Sequence, residues 1–516
     1  MNGLLNNGRD RSQTCLYGMF IIISIVCIHC GNVETGLRPV STTNNTTTTN
    51  NTTTTFTIYI DSRIGNDNNP GTIKKPIKTI SGINDRLKTK PGNILFAGGQ
   101  VFEGTLLLKN IQGTDSVPVV IGSYGKGRPV ISGGNNEAIR IENCKNLRIT
   151  GLTLMGSGRK EGNTTNGLQM IRSSNCVVEG IHAEGFQKSG VDLYNCMKIE
   201  VLKVTADGNG FCGINVMGSS QDSSGIILIR DCKAENNPGD PTILDNHSGN
   251  GILVGVSDSV AIDHCTATNN GWDMPRQGNG PVGIWAWMSD HVTIQYCISY
   301  KNRTSRGGKD GGGFDLDGGV TNSLIQYCLS YENEGAGYGL FQYPGASDWS
   351  NNIIRYCISI NDALTTEGAG SFFIWNGSNE SRQLTNCYIY NNVAYSSSAP
   401  IISFENASEH QNFLFCNNIF IGTGKMISGK NSGSSITDNI WTNTSIPFLK
   451  GPFITEITDP YKLNTLTGLM LQPGSKLMNS GIPIRSMYGY DPPSSDFFGN
   501  PVPQGSAPEP GIHELK

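Results

Sequence analysis

Charge is scarce in this 516-residue chain: Asp, Glu, Lys and Arg make up 16% of it, with 42 acidic against 38 basic residues and a formal net charge of −4. Without a basic excess there is no electrostatic footprint for nucleic acid, and no block of like charge forms a tail. Sustained 3.6-residue periodicity is missing too, which argues against a helical bundle, a coiled coil or a Rossmann-type enzyme. A nucleophile elbow, a P-loop and a zinc-ligand pattern are all absent. The chain is instead rich in Asn and carries 65 Gly. That composition suits an all-β protein of many short strands and tight corners.

Residues 1–30 read as a leader. Arg9 and Arg11 precede an apolar run from Leu16 to Ile28, interrupted by Gly18 and Ser24. A run of this length is short for a membrane span and suits a signal-peptide core. Plain secretion is the leading expectation, and a lipoprotein leader lipidated at Cys30 is the alternative. The Cys27–Cys30 pair belongs to this leader. Residues 31–55, almost pure Thr and Asn from Ser41 to Thr55, read as a flexible tether that cannot bury a core. The protein is therefore expected outside the cell or on its surface, as a monomer. It would meet a membrane only through such an anchor.

One phrase recurs: Val260-Ala-Ile-Asp-His-Cys265, Val292-Thr-Ile-Gln-Tyr-Cys297, Leu324-Ile-Gln-Tyr-Cys328 and Ile353-Ile-Arg-Tyr-Cys357, with further copies ending at Cys232, Cys387 and Cys416. Successive cysteines from Cys232 to Cys416 lie 33, 32, 31, 29, 30 and 29 residues apart. A period in this range marks a solenoid. Each unit holds an alternating strand before the Cys, a short strand after it, and a Gly-opened strand such as Gly283-Ile-Trp-Ala-Trp287 or Gly313-Phe-Asp-Leu-Asp317. Three short strands per coil describe a right-handed parallel β-helix. Asn269, Asn302, Asn333 and Asn361 are the expected corner residues. Eleven cysteines follow the leader. In stacked strands roughly 4.8 Å apart they sit too far from one another for the Cβ spacing of about 3.8 Å that a disulfide needs. An inward ladder of free thiols is expected.

On these repeats the chain resembles the pectin-lyase-like β-helix superfamily over residues 95–440. The front piece, residues 56–94, with Tyr59-Ile-Asp61, Gly65-Asn-Asp67 and Pro76-Ile-Lys-Thr-Ile80, resembles the opening of secreted bacterial β-helix proteins. The resemblance implies a short capping helix, and Ile77, Ile80, Ile83 and Leu87 have the spacing to close the core. Residues 441–516, which include Asp496-Phe-Phe-Gly-Asn500, are expected to pack on the solenoid as an extension. The superfamily hosts lyases, hydrolases, epimerases and non-enzymes.

Strand parity sorts the Gly-opened strands. With Ile284, Ala286, Phe314 and Leu316 inside, Trp285, Trp287, Asp315 and Asp317 face out. The following coils put Gly339 and Phe341, then Phe373 and Trp375, on the same face. One acidic rung thus lies in a path of aromatics, the surface on which sugars lay their C–H faces. Trp272 and Arg303, on the loops entering this rung, are further substrate-binding candidates. Three accounts compete. In a lyase acting on an acidic polysaccharide, Ca²⁺ held by Asp310, Asp315, Asp317 and Glu334 would acidify the proton beside a uronate, and Lys309 or Arg306 would remove it. In a hydrolase, Asp315 and Asp317 would form the catalytic pair. In a non-catalytic glycan-binding or surface protein, the acids would only bind calcium or brace turns. The lyase is the leading expectation.

Two narrower resemblances fall on this rung. Asp310-Gly-Gly-Gly-Phe314 with Tyr331-Glu-Asn-Glu334 is similar to the calcium region of polysaccharide lyase family nine. That likeness implies ligand roles for Asp310 and Glu334, although Gly335 and Gly339 stand where further acids would be. Gly312-Gly-Phe314-Asp315-Leu-Asp317 is similar to the Tyr-Gly-Phe-Asp-Pro-His site of alginate epimerases. Asp315 matches its acid, while Gly312 and Asp317 replace the tyrosine and the histidine. His182, His264 and His291 are expected to be structural or surface residues.

Overall fold

The computed structural model describes residues 56–515 apart from 89–91, 381–382, 407, 444–447, 452–455 and 490–491. The expected leader and tether lie outside the described residues. Among those described, the strands form three parallel sheets of 14, 12 and 13 strands. Each coil contributes one short strand to each sheet, so sequence neighbours three strands apart become hydrogen-bonded neighbours in space. This is the right-handed parallel β-helix that the repeat implies. The strand Thr57–Ile60 already pairs in register with Asn93–Ala97 in the 14-stranded sheet. The capping helix, Ile80–Leu87, starts where the Thr79 side chain accepts the Gly82 amide, and it buries Ile80 and Ile83 against the first coils. No helix of the described residues is long and apolar enough to cross a membrane.

Period-two alternation fills the interior. Ile252, Ile284, Phe314, Tyr338 and Phe372 follow one another in register along the 12-stranded sheet, and all are buried. The rings stack, with Phe314 and Tyr338 5.3 Å apart at 7° and Tyr338 and Phe372 5.5 Å apart at 20°. Tyr338 can sit at 0% exposure because its hydroxyl lies 3.0 and 2.9 Å from the Cys328 and Ile358 carbonyl oxygens, so burial leaves no polar group unpaired. The opening glycines are needed where the tube is pinched. A Cβ on Gly313 would stand 2.3 Å from Ser330 Oγ. The eleven described cysteines are free and buried, but only Cys232, Cys265, Cys297, Cys328 and Cys357 share one register column. In the next coil Asn392 takes that place and accepts the Cys357 amide, while Cys387 pairs in register with Asn352, and Cys416, the partner of Tyr390, packs in the outer cluster.

The corner ladder is shifted from its expected members at two coils. The buried series runs Asn209, Asn237, Asn270, Asn302, Asn333 and Asp362, each amide donating to the next side chain at 2.8–3.2 Å. Asn269 and Asn361 take left-handed φ values of 51° and 50° and make the turn itself. The residue that follows each of them is the one that points inward. Leu463, Leu469, Phe497 and Ile512, in the segment after the solenoid, pack on the outer row of Tyr327, Tyr331 and Tyr356.

Candidate active site

A cavity of about 600 Å³ opens on the outer face of the 12-stranded sheet. Its floor comes from the strands Val282–Trp287, Tyr338–Gln342 and Phe372–Asn376 and from the two ends of Gly312–Leu316, where Asp310 and Asp317 stand. Register sets Trp285 beside Asp315, Asp315 beside Gly339, Gly339 beside Phe373, and Phe341 beside Trp375. The outward parity therefore holds. Trp285, Trp287, Phe341, Phe373 and Trp375 all line the cavity. They are not open surface, however: Trp285 is 4% exposed and Phe341 and Phe373 are 8% exposed. The loops between strands wall them in, which turns an expected groove face into a pocket.

The acids are sorted differently from the expected pair. Asp310 and Asp317 line the cavity, whereas Asp315 does not. Asp310 sits in the loop before its strand with φ 60°, followed by Gly311 at φ 78°. These two left-handed residues fold the chain back, and the carboxylate then accepts the Gly280 amide at 2.7 Å. The Asp310 carbonyl accepts the Thr366 hydroxyl at 2.7 Å, which fixes the backbone as well. Burial pushes the Asp310 carboxyl up to about 6, against the pull of the Gly280 amide, Lys309 and Arg276. Asp317 lies just past the strand end, accepts the Gly318 amide at 2.7 Å, and is pushed up to about 7 by burial with help from the Asp310 charge. Tyr343 packs over the adjacent Gly318, where a Cβ would meet the ring at 2.4 Å.

Asp315 lies beneath this floor at 3% exposure, and its Oδ1 has no hydrogen-bond partner among the described residues. The Phe341 ring folds back over Gly339; a Cβ there would stand 2.8 Å from the ring and 3.0 Å from Asp315 Oδ1. Burial first, then the Asp317 and Asp310 charges, hold the Asp315 carboxyl well above its usual range. In the unfolded chain this carboxyl ionises above about pH 4, while in the fold it keeps its proton. The unfolded state therefore binds fewer protons, and Asp315 makes stability fall as pH rises above that point. Asp315→Asn is expected to gain on the parent as pH rises above about 4, by up to about 1.4 kcal/mol per pH unit, measured as denaturation midpoints at several pH values.

Lys309 reaches the cavity rim, joined by Arg276, Asn246, Asn279, Glu367 and Glu405. Arg303, Arg306 and Trp272 are not among its lining residues. They lie on the outside of the entering loops, and Trp272 instead carries the Arg159 guanidinium 6.0 Å from its ring. Glu334 is also elsewhere, its carboxylate accepting the Thr304 amide at 2.9 Å as a loop brace. Asp310, Asp315, Asp317 and Glu334 thus do not gather as a ligand set for Ca²⁺. Among the described residues the group whose ligand atoms lie within 4.8 Å of one another is Asp258, Asp290 and His291. These belong to the 14-stranded sheet, where Asp258 and Asp290 are register partners. His291, expected to be a structural or surface residue, has two acidic neighbours. His182 and His264 pair with Glu184 and Asp263.

His247, Tyr343, Glu367 and Glu405 complete the lining. For Tyr343 and Glu405 there was a signal: Tyr343 lies two residues past the outward Phe341, and Glu405 is the register partner of Trp375. Extending the parity one step and one coil finds both. Glu367 comes from a loop, which carries no such period; His247 comes from one of the loops that the sequence brings toward this rung.

The family model for the Pel9A-like right-handed β-helix region matches residues 58–358. Among solved structures, the GH136 lacto-N-biosidase from Eubacterium ramulus aligns with a TM-score of 0.51 at 17% identity, covering 75% of this chain and 68% of that one. Pectate lyase Pel9A aligns at 15% identity over 90% of this chain and 97% of that one, with a TM-score of 0.46. An alginate lyase of family PL6 aligns at 14% identity over 71% and 51%, with a TM-score of 0.49. No curated protein matches the chain. At 17% identity the likeness to the GH136 structure is one of fold.

Proposed function

The chain belongs to the Pel9A-like right-handed β-helix family, and from that premise we propose that it is a glycoside hydrolase acting on a neutral glycan, with Asp310 and Asp317 as its two working carboxyls. The observation that carries this reading is the pair itself. Two carboxyls raised to about 6 and about 7 face one aromatic-walled cavity. Glycoside hydrolysis needs one carboxylic acid to protonate the leaving oxygen and one carboxylate to attack or to activate water. Groups whose environments separate their titrations supply both forms at one pH. Asp317, which keeps its proton longer, is the acid; Asp310, ionised first, is its partner. The half-exposed rings of Trp287 and Trp375 offer the apolar surfaces on which a pyranose stacks.

Charge separates this reading from lyase action on a uronate. Four acids (Asp310, Asp317, Glu367 and Glu405), of which the working pair shares one proton, face two cations (Arg276 and Lys309) in the cavity, an excess of one negative charge. A polyanion would meet net repulsion there. Calcium would offset it, but the acids of this rung are not arranged around one point. The expected pH profile of kcat/KM is a bell, rising as Asp310 ionises near 6 and falling as Asp317 loses its proton near 7. The test is a panel of neutral oligosaccharides and aryl glycosides beside pectins, alginates and glycosaminoglycans. New reducing ends without unsaturated uronate support the reading. Unsaturated products would make the protein a lyase, and binding without products would make it a glycan-binding module.

A further inference from the structure

We infer that His247 is a specificity-determining residue of this cavity: it presents Nε2–H as a fixed, neutral donor to a hydroxyl or carbonyl oxygen of an uncharged sugar. The inference rests on the neutral-glycan reading above and names how that site selects its ligand. It begins at Asn250, which is fully buried in the strand Asn250–Gly255. The Trp285 indole N–H, which can only donate, stands 3.1 Å from one amide atom of Asn250, so that atom is the oxygen. The Val282 amide donates to the same atom at 3.4 Å. The other amide atom is therefore the nitrogen, and it stands 3.1 Å from the Phe211 carbonyl, which can only accept. That nitrogen also stands 3.0 Å from His247 Nδ1.

An amide nitrogen has nothing to accept with, so Nδ1 must be the unprotonated, accepting atom and the ring proton resides on Nε2. The amide orientation follows from donors and acceptors that each have one role, and with Nδ1 on the Asn250 side of the ring the tautomer follows from it. His247 is held between Phe211, 5.8 Å away, and Trp285, 4.9 Å away edge-to-face. Among the described residues nothing pairs with Nε2, and His247 lines the cavity. Burial and the Arg276 charge lower the imidazole to about 4, so it stays neutral wherever Asp310 and Asp317 share a proton. The donor therefore adds no charge for a uronate carboxylate to pair with. An uncharged acceptor satisfies it fully.

Trp285 thus has two duties: it helps line the cavity while its N–H, through Asn250, sets the tautomer of the neighbouring donor. The test combines a spectrum with a binding series. Selective ¹⁵N-histidine labelling of the full chain, with the His247 signals assigned by their loss in His247→Phe, is expected to show a neutral ring protonated at Nε2. Tryptophan fluorescence then follows titration with methyl glycosides of glucose, galactose and N-acetylglucosamine, with glucuronate as the charged comparison. His247→Phe is expected to weaken the neutral sugar that binds best by about tenfold, while His247→Gln, which keeps a neutral donor, changes it little. An Nδ1–H or cationic ring in the parent overturns the inference, as does undiminished sugar binding by His247→Phe. If none of the neutral sugars binds the parent, the neutral-glycan reading itself falls and takes this role with it.

Discussion

Asp317→Asn is expected to lower kcat by about 10³-fold while sugar binding, followed through the cavity tryptophans, persists. Asn keeps the shape and the oxygen that accepts the Gly318 amide, and it removes the proton to be donated. Asp310→Asn should act in the same way, because its retained oxygen can still take the Gly280 amide. Asp315→Asn is the internal control. Its carboxyl is buried beneath Phe341 and Gly339, so turnover should be largely kept even though the residue shares the acidic rung. Turnover lost with Asp315→Asn and kept with Asp310→Asn would restore the strand-face pair Asp315 and Asp317 as the working groups. The two cavity variants should also be at least as stable as the parent above neutral pH. Each removes a carboxyl that the fold disfavours in its ionised form, a trade typical of working sites.

Asn333→Leu should produce the largest loss of stability. The Asn333 amide donates to the Ser299 carbonyl at 3.0 Å, to Ser330 Oγ at 3.0 Å and to Asp362 at 2.8 Å. Its oxygen accepts both the backbone and the side-chain N–H of Asn302, each at 2.9 Å. Leucine fills the space and removes all of these bonds; the Asn302 backbone N–H is orphaned outright, at about 1–3 kcal/mol, while Asn302 Nδ2 keeps Ser299 Oγ and Asp362 keeps the Asn333 backbone N–H. A total loss of about 3–6 kcal/mol is expected, read as a lower midpoint in urea. The long loop that carries Asp310 leaves the solenoid at Asn302, so activity near the midpoint should fail before the helical coils further along unfold. A loss below about 1 kcal/mol would mean that water replaces the amide, and that the ladder does not hold the corner together.

The periodic part of this molecule was legible because one residue step reverses a side chain and one coil repeats the pattern. The spacing from Cys232 to Cys357 and the alternation around Phe314 were enough to set the tube and the aromatic row in register, and the Ile77, Ile80 and Ile83 spacing marked the capping helix. The depth of that row was not legible: whether Trp285 faces water or a wall depends on loops whose path no period constrains. Asp310 shows the limit most clearly. Its direction follows from two successive left-handed residues and from an amide thirty positions earlier in the chain, neither of which alternation can report. The same holds for His247, whose tautomer emerges only from contacts among three separate elements. Asp315 marks the opposite failure. Parity gave its direction correctly and said nothing of the ring that Gly339 allows to fold across it.

The buried cysteines make this protein its own ruler of opening. Cys144, Cys176, Cys196, Cys232, Cys265, Cys297, Cys328, Cys357, Cys387 and Cys416 are each buried and unbridged, and they are distributed coil by coil along the tube. A thiol that a reagent cannot reach in the closed tube becomes reactive when its own coil opens. Timed alkylation followed by peptide mapping would therefore read the order in which the coils part, without any introduced probe. It would show whether the coils beneath the cavity open together with the capped end or hold out after it.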